Sequence, residues 1–237
     1  MKQALDSIDF KEGSMLLLDK PYGNTSFGLV FQIKRWCKAK VGHAGTLDPL
    51  ASGLIICCTG KWTKKLQGLT GLDKTYTGTI MLGATTPTFD RESLPENQKP
   101  TEHITAEKVA QVKKQFEGDI EQLPPNHSAV KQDGKRLYEL AREGKKIRKA
   151  PRHQTVYLFE VNCEKLPEVS FTIKCSSGTY IRSIANDLGA ALGCGGYLSS
   201  LVRTEIGDFK LADAYTLPEM REHFGTFATL KKIDPKC

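Results

Sequence analysis

The stretch VGHAGTLDPLASG, Val41–Gly53, holds three glycines, a histidine, a proline and a single carboxylate in thirteen residues. Glycine at that density lets backbone come close to another group, because it lacks a Cβ and accepts positive φ. The carboxylate is Asp48, and Pro49 drives it toward extended backbone by clashing with the helical alternative. An isolated Asp-Pro pair only starts a turn. Here Gly42 and Gly45 clear an approach, His43 adds a flat ring that can stack or donate, and no second acid is present. Paired carboxylates would point to glycosidase-type acid–base work or a divalent ion. A lone one points to a nucleophile, or to an electrostatic partner of a cationic intermediate.

Outward from this stretch, strands and helices alternate irregularly. MLLLDK before it reads as a strand closed by a turn at Pro21 and Gly23, and Thr25 or Ser26 caps a helix running to about Lys38. LIICCTG after it reads as a buried strand, KWTKKLQGL as a short helix and KTYTGTIMLG as a β-branched strand. The texture from Ala84 to His103 is that of a surface loop. Val109, Val112 and Phe116 mark a helix that stops at Gly118. QTVYLFEVNCEK and EVSFTIKCSS read as strands, and GTYIRSIANDLGAALG as a helix with a core stripe of Ile181, Ile184, Leu188 and Leu192. No repeat period and no clear linker appear, so the expected class is mixed α/β, an α+β arrangement with a mixed sheet in a single domain.

Composition narrows the function classes. With 237 residues, 39% of them hydrophobic, the chain is long enough for a sizeable core, and its apolar runs are too short to span a bilayer. The start, MKQALDSIDFKEGS, has no signal-peptide character, and the expected compartment is the cytoplasm. Seven cysteines without a CxxC pair fit free thiols, with Cys57 and Cys58 buried. The five histidines are scattered, so no metal site is expected. Net charge is +7, and Lys131–Arg152 carries nine Lys or Arg against three acids. Positive charge concentrated in this way suits phosphate binding and points to a nucleic-acid partner.

An aspartate that must stay ionised in a partly dry site needs a cation, and Arg182 is the candidate. It lies in the first turn of a predicted helix, where the helix dipole disfavours a cation, and that misfit favours a functional role. Tyr76 and Tyr180 offer ring faces for stacking a base or a phenol for proton transfer.

In order, DKPYGNTS, VGHAGTLDPLASGLIICCTG, DKTYTGTIMLG, CSSGTYIRSIANDLG and LSSLVRTEIGDF resemble the TruB family of tRNA pseudouridine-55 synthases, over roughly Met15–Phe209. The resemblance implies a pseudouridine synthase catalytic fold and an isomerase that detaches uracil 55 in the T-loop of tRNA and rejoins it through carbon. It implies no cofactor, no metal and no obligate protein partner, with tRNA bound through its T-arm and the protein acting as a monomer. By the same resemblance Asp48 is the catalytic aspartate and Arg182 its pairing arginine. Tyr76 stacks on the target base and helps remove its C5 proton. His43 fills the space of the flipped base, Tyr180 and Leu201 line the uracil pocket, and Lys20 with Pro21 supports the site from behind. Whether Asp48 attacks ribose or base stays open. Flipping the base carries an unstacking cost of a few kcal/mol, which stacking rings and basic residues offset.

The basic segment PPNHSAVKQDGKRLYELAR resembles the family's RNA-binding insertion, here about 124–152. Its expected backbone contacts are Lys131, Arg136, Lys145, Lys146 and Arg148, in a segment expected to be mobile until RNA orders it. His127 stands where the family commonly has tyrosine, and Ser52 where it commonly has threonine. Residues 210–237 form a short tail, expected to be too small for the PUA-type domain of longer members. Three other readings fit less well: a non-catalytic RNA-binding protein, a guide-RNA-dependent modifier and an aspartate hydrolase. Neutralising Lys145, Lys146, Arg148 and Lys149 together should flatten the salt dependence of RNA binding, measured as the slope of log K against log salt.

Overall fold

The computed structural model describes residues 5–125, 131–132, 135–136 and 150–230. In chain order the strands are β1 (Met15–Lys20), β2 (Val41–Ala44), β3 (Ser52–Thr59), β4 (Lys74–Leu82), β5 (Gly118–Gln122), β6 (Lys131–Gln132) and β7 (Lys135–Arg136). They continue with β8 (Arg152–Lys165), β9 (Glu168–Cys175), β10 (Gly196–Ile206) and β11 (Phe209–Lys210). The α-helices are α1 (Ser26–Cys37), α2 (Leu66–Thr70), α3 (Ala106–Val112), α4 (Ile181–Ala191) and α5 (Leu217–Leu230). These elements fall into two compact units, Met1–Lys74 with Val202–Cys237, and Thr75–Leu201. The class is the mixed α/β one expected.

In the first unit β3 is the central strand. It pairs antiparallel with β1 from Met15↔Cys58 to Lys20↔Gly53. On its other edge it pairs antiparallel with β2 at residues 56–59 and parallel with β10 at Ser52 and Gly53. Its sequence is apolar almost throughout because both faces are covered. Ile55 and Cys57 join Leu16, Leu18, Leu29, Ile33 and Met220 in one cluster, while Leu54 and Ile56 join Ala44, Ile206 and Ala214 in another. Cys57 and Cys58 are buried free thiols, as expected. Thr25 caps α1 by accepting from the Gly28 N–H at 2.9 Å, and Lys38 ends the helix in the left-handed region at φ 50°.

In the second unit the strand order is β10, β4, β9, β8, β5, with β6 and β7 forming a separate two-stranded pair. β8 and β9 are antiparallel, and Phe159 meets Phe171 edge-on with centroids 6.4 Å apart. The predicted stripe Ile181, Ile184, Leu188 and Leu192 is buried throughout.

The stretch Val41–Gly53, given no element from sequence, begins as a strand, since Val41–Ala44 pairs as β2 and only residues 45–51 turn. Two readings change. The segment from Ala84 to His103 is not simply a surface loop. Thr86, Thr88 and Asp90 are buried there, with the Thr88 hydroxyl donating to Asp90 Oδ1 at 2.7 Å so that both polar groups are satisfied inside. The helix carrying Val109 ends its α-helical part at Val112 and tightens into a 3₁₀ turn, Lys113–Phe116, before Gly118 opens β5.

Gly53 sits where β3 meets β10. Its φ is +102°, and a Cβ there would lie 2.4 Å from the Arg203 carbonyl oxygen. Gly53→Ala should therefore cost roughly 2–4 kcal/mol, seen as a lower urea midpoint at unchanged slope.

Candidate active site

The turn carrying Asp48 is built from short local rules and then gripped by distant side chains. Asp48 occupies the first position of a β-turn closed by the Ala51 N–H on the Asp48 carbonyl at 3.1 Å, with Pro49 in the place its fixed φ suits. Leu47 and Ala51 are buried on either side, while Asp48 stays half-buried.

Three side chains hold this turn. Ser26, the first residue of α1, donates its hydroxyl to the Leu47 carbonyl and accepts from the Leu47 N–H, each at 2.9 Å. Arg203 on β10 donates Nε to the Leu54 carbonyl at 2.7 Å and Nη2 to the Gly45 carbonyl at 3.0 Å, bracketing the turn at both ends. Lys20, at the end of β1, donates Nζ to the carbonyls of Asn24 at 2.5 Å, Pro21 at 3.0 Å and Pro49 at 3.3 Å. Both cations are almost wholly buried, so these carbonyls take the place of their water. The Gly23 N–H also donates to the Pro49 carbonyl at 2.9 Å.

The charges in this unit tune one another. Burial pushes the Lys20 pKa down to about 8; the Asp48 carboxylate opposes this, Arg203 adds to it, and Asp19 opposes it weakly. His43, on β2, is pushed below the usual histidine range by burial first and by Arg203 second. Its ring is therefore neutral at pH 7, and its buried Nδ1 has no hydrogen-bond partner among the described residues. An uncharged ring suits packing against a base better than an imidazolium would.

The second unit positions the remaining candidates. Tyr76 on β4 and Leu201 on β10 are buried. Tyr180 stands just before α4, where its N–H donates to Gln122 Oε1 at 2.7 Å and its carbonyl accepts from Gln122 Nε2 at 2.9 Å. Arg182 follows in the first turn of α4 and is buried. Its Nη1 donates to the Thr88 carbonyl at 3.0 Å, and its Nε lies 3.7 Å from Asp90 Oδ2. Asp90 answers the misfit of a cation in a helix's first turn by supplying a buried counter-charge. Its other oxygen accepts from the Thr88 hydroxyl and from the Glu92 N–H at 2.9 Å.

The structure thus groups Lys20, His43 and Asp48 in the first unit and Tyr76, Tyr180, Arg182 and Leu201 in the second. Ser26 enters the sequence reading only as an alternative helix cap, and Arg203, Asp90 and Gln122 have no role in it. Arg203 left a weak signal, a lone cation in the strand-like stretch LVRTEIG, whereas Asp90 and Gln122 left none. Lys131 and Arg136 are backbone register partners in the pair β6–β7. His127, Lys145, Lys146, Arg148 and Lys149 lie outside the described residues. Among the described residues no group of three His, Cys, Asp or Glu could hold a metal ion, and no helix is long and apolar enough to cross a membrane.

Comparison with known proteins adds a lineage. Residues 32–181 match the TruB family pseudouridylate synthase N-terminal domain, and residues 182–231 match the tRNA pseudouridylate synthase B C-terminal domain. The chain is 46% identical over 222 residues to the tRNA pseudouridine synthase B of Flavobacterium johnsoniae, covering 90% of this chain and 97% of that one. It is 45% identical over 222 residues to the protein of the same name from Phocaeicola vulgatus, covering 91% of this chain and 94% of that one. Among solved structures, it resembles one in a Cbf5–Nop10–Gar1 complex with a TM-score of 0.73 and 32% identity. That likeness covers 95% of this chain but only 58% of the other, so the chain spans little more than half of that longer protein.

Lys20 yields a pH test with a defined sign. Its folded pKa of about 8 lies below the unfolded value of 10.5, so between these the unfolded chain binds more protons. The Lys20 contribution to stability therefore rises with pH across that window, by at most about 1.4 kcal/mol per pH unit. Lys20→Met should remove that rise, seen as the difference between native and variant unfolding free energies from pH 7 to 10.

Proposed function

This chain belongs to the TruB family of pseudouridylate synthases, and we infer that it is a tRNA pseudouridine synthase, an isomerase that converts uridine 55 of the T-loop to pseudouridine. The substrate is the T-arm stem-loop, met in the cytoplasm and bound without a partner protein. In this reaction the bond between uracil N1 and ribose breaks, the base turns, a carbon–carbon bond forms at C5, and the C5 proton is lost while N1 takes one up, so that the product is an isomer.

Asp48 is the nucleophile in this reading, with Arg182 as the cation that keeps it ionised during the reaction. A base stacked inside a folded loop is out of reach, so the target nucleotide is flipped out first. Tyr76 stacks on that base and assists removal of the C5 proton, while Tyr180 and Leu201 enclose the uracil. His43, held neutral, packs where the base has left. Lys20 acts through the backbone: it holds the Pro49 carbonyl and places positive charge near Asp48 without spending its proton. The basic insertion, 124–152, supplies phosphate contacts through Lys131, Arg136, Lys145, Lys146 and Arg148.

The observation that carries this reading is the turn at Asp48. A half-buried carboxylate stands on a backbone gripped at Gly45, Leu47, Pro49 and Leu54 by Ser26, Lys20 and Arg203. A nucleophile must meet its target within fractions of an ångström, and a turn fixed at four points supplies that placement. A carboxylate that served only to start a turn would not need two buried cations behind it.

Incubation with a T-arm RNA tritiated at uridine C5, without added metal, tests the assignment. Native protein should release the isotope, and Asp48→Asn should lower the rate by at least about a thousandfold while still binding RNA. Comparable release from both would overturn the role given to Asp48.

A further inference from the structure

Between Lys20 and Asp48 the chain has no acid at all and five cations, Lys20, Lys34, Arg35, Lys38 and Lys40. The same segment holds three of the most exposed aromatic rings among the described residues: Tyr22 at 61%, Phe27 at 75% and Phe31 at 52% of full exposure. α1 buries its other face through Leu29 and Ile33, so the rings stand on a side with no role in the core. Phe27, Phe31 and Arg35 follow at i, i+4 and i+8, one continuous stripe along the helix. Lys34 and Arg35 are exposed beside it.

The position of this stripe gives it meaning. Ser26, immediately before Phe27, exchanges two hydrogen bonds with Leu47, the neighbour of Asp48. Gly23, immediately after Tyr22, donates to Pro49, the other neighbour of Asp48. The exposed rings therefore begin one residue away from the groups that grip the turn.

We propose that Tyr22, Phe27 and Phe31, with Lys34 and Arg35, form a stacking platform for the RNA strand that flanks the reacting nucleotide. This rests on the RNA-modifying reading above and goes beyond it, because none of these residues belongs to the reaction itself. Aromatic faces next to cations are what unpaired nucleotides need, since every base offers a π-face and every link a phosphate. Eight residues of helix span about 12 Å, the length of three to four stacked nucleotides at about 3.4 Å each. Charge decides against a second copy of the chain as the occupant. Self-association through this face would bring Lys34 and Arg35 of both copies together with no acid between residues 20 and 48 to offset them.

Labelled T-arm stem-loop RNA, titrated by fluorescence anisotropy at several salt concentrations, reads the proposal. The double variant Phe27→Ala, Phe31→Ala should bind at least about tenfold more weakly, whereas Phe27→Trp, Phe31→Trp should stay within about threefold of native. The pair Lys34→Gln, Arg35→Gln should reduce the slope of log K against log salt by about one to two. Melting midpoints should stay unchanged, because all four side chains are exposed; Phe31→Ala alone is the fallback. If native protein releases tritium while these variants bind RNA with native affinity and slope, the platform is wrong and the function stands. Loss of a dimer in light scattering at native RNA affinity would also overturn it, assigning the face to self-association. Failure of native protein both to bind and to isomerise the RNA would remove both readings.

Discussion

Two cations without water, Lys20 and Arg203, are the constraint on which the first unit depends. Neither can be buried without replacing its hydration, and both do so with backbone carbonyls, Arg203 with those of Gly45 and Leu54 and Lys20 with that of Pro49 and those of Pro21 and Asn24 after β1. The dependence runs both ways. The turn takes part of its hydrogen bonding from these cations, and leaving a buried carbonyl unpaired costs about 1–3 kcal/mol. Asp48 then closes the charge balance, since its carboxylate is the strongest influence opposing the loss of the Lys20 proton.

The same arrangement explains the state of His43. Burial and the neighbouring Arg203 both disfavour an imidazolium. The Asp48 carboxylate is thereby left near buried cations and near a ring that stays uncharged. The second unit repeats the principle. Arg182, placed by α4 where the helix dipole is unfavourable, is held by Asp90 and the Thr88 carbonyl, and Gln122 clasps the backbone of Tyr180 in both directions. In both units side chains fix backbone, and the backbone presents the functional group.

Such preorganisation fits the proposed reaction, in which a nucleotide is first extracted from a folded loop. The unstacking cost is borne by contacts made elsewhere on the RNA, which is the service that exposed rings and cations outside the reacting centre provide. The absence of acids between Lys20 and Asp48 has a matching logic. Along residues 20–47 a phosphate-bearing strand would meet no acidic side chain before the carboxylate proposed to act on it.

Much was written locally. The strand at β1, the 3.6-residue stripe of α4, a helix cap at Thr25 or Ser26 and the turn at Asp48–Pro49 follow from residue type and spacing, so sequence determined them. The family was legible too, through the ordered motifs, and the glycines around Asp48 single it out as the candidate nucleophile. Only the tertiary structure decided that Val41–Ala44 is a strand, because its partner residues 56–59 lie across an intervening turn. The same holds for Asp90 as counter-charge to Arg182, ninety-two positions along, and for Arg203 as the clamp on Gly45 and Leu54. The physical reason is the same throughout. Propensity and periodicity reach only a few residues, whereas satisfying a buried charge depends on whichever carbonyl or carboxylate the folded chain brings within about 3–4 Å.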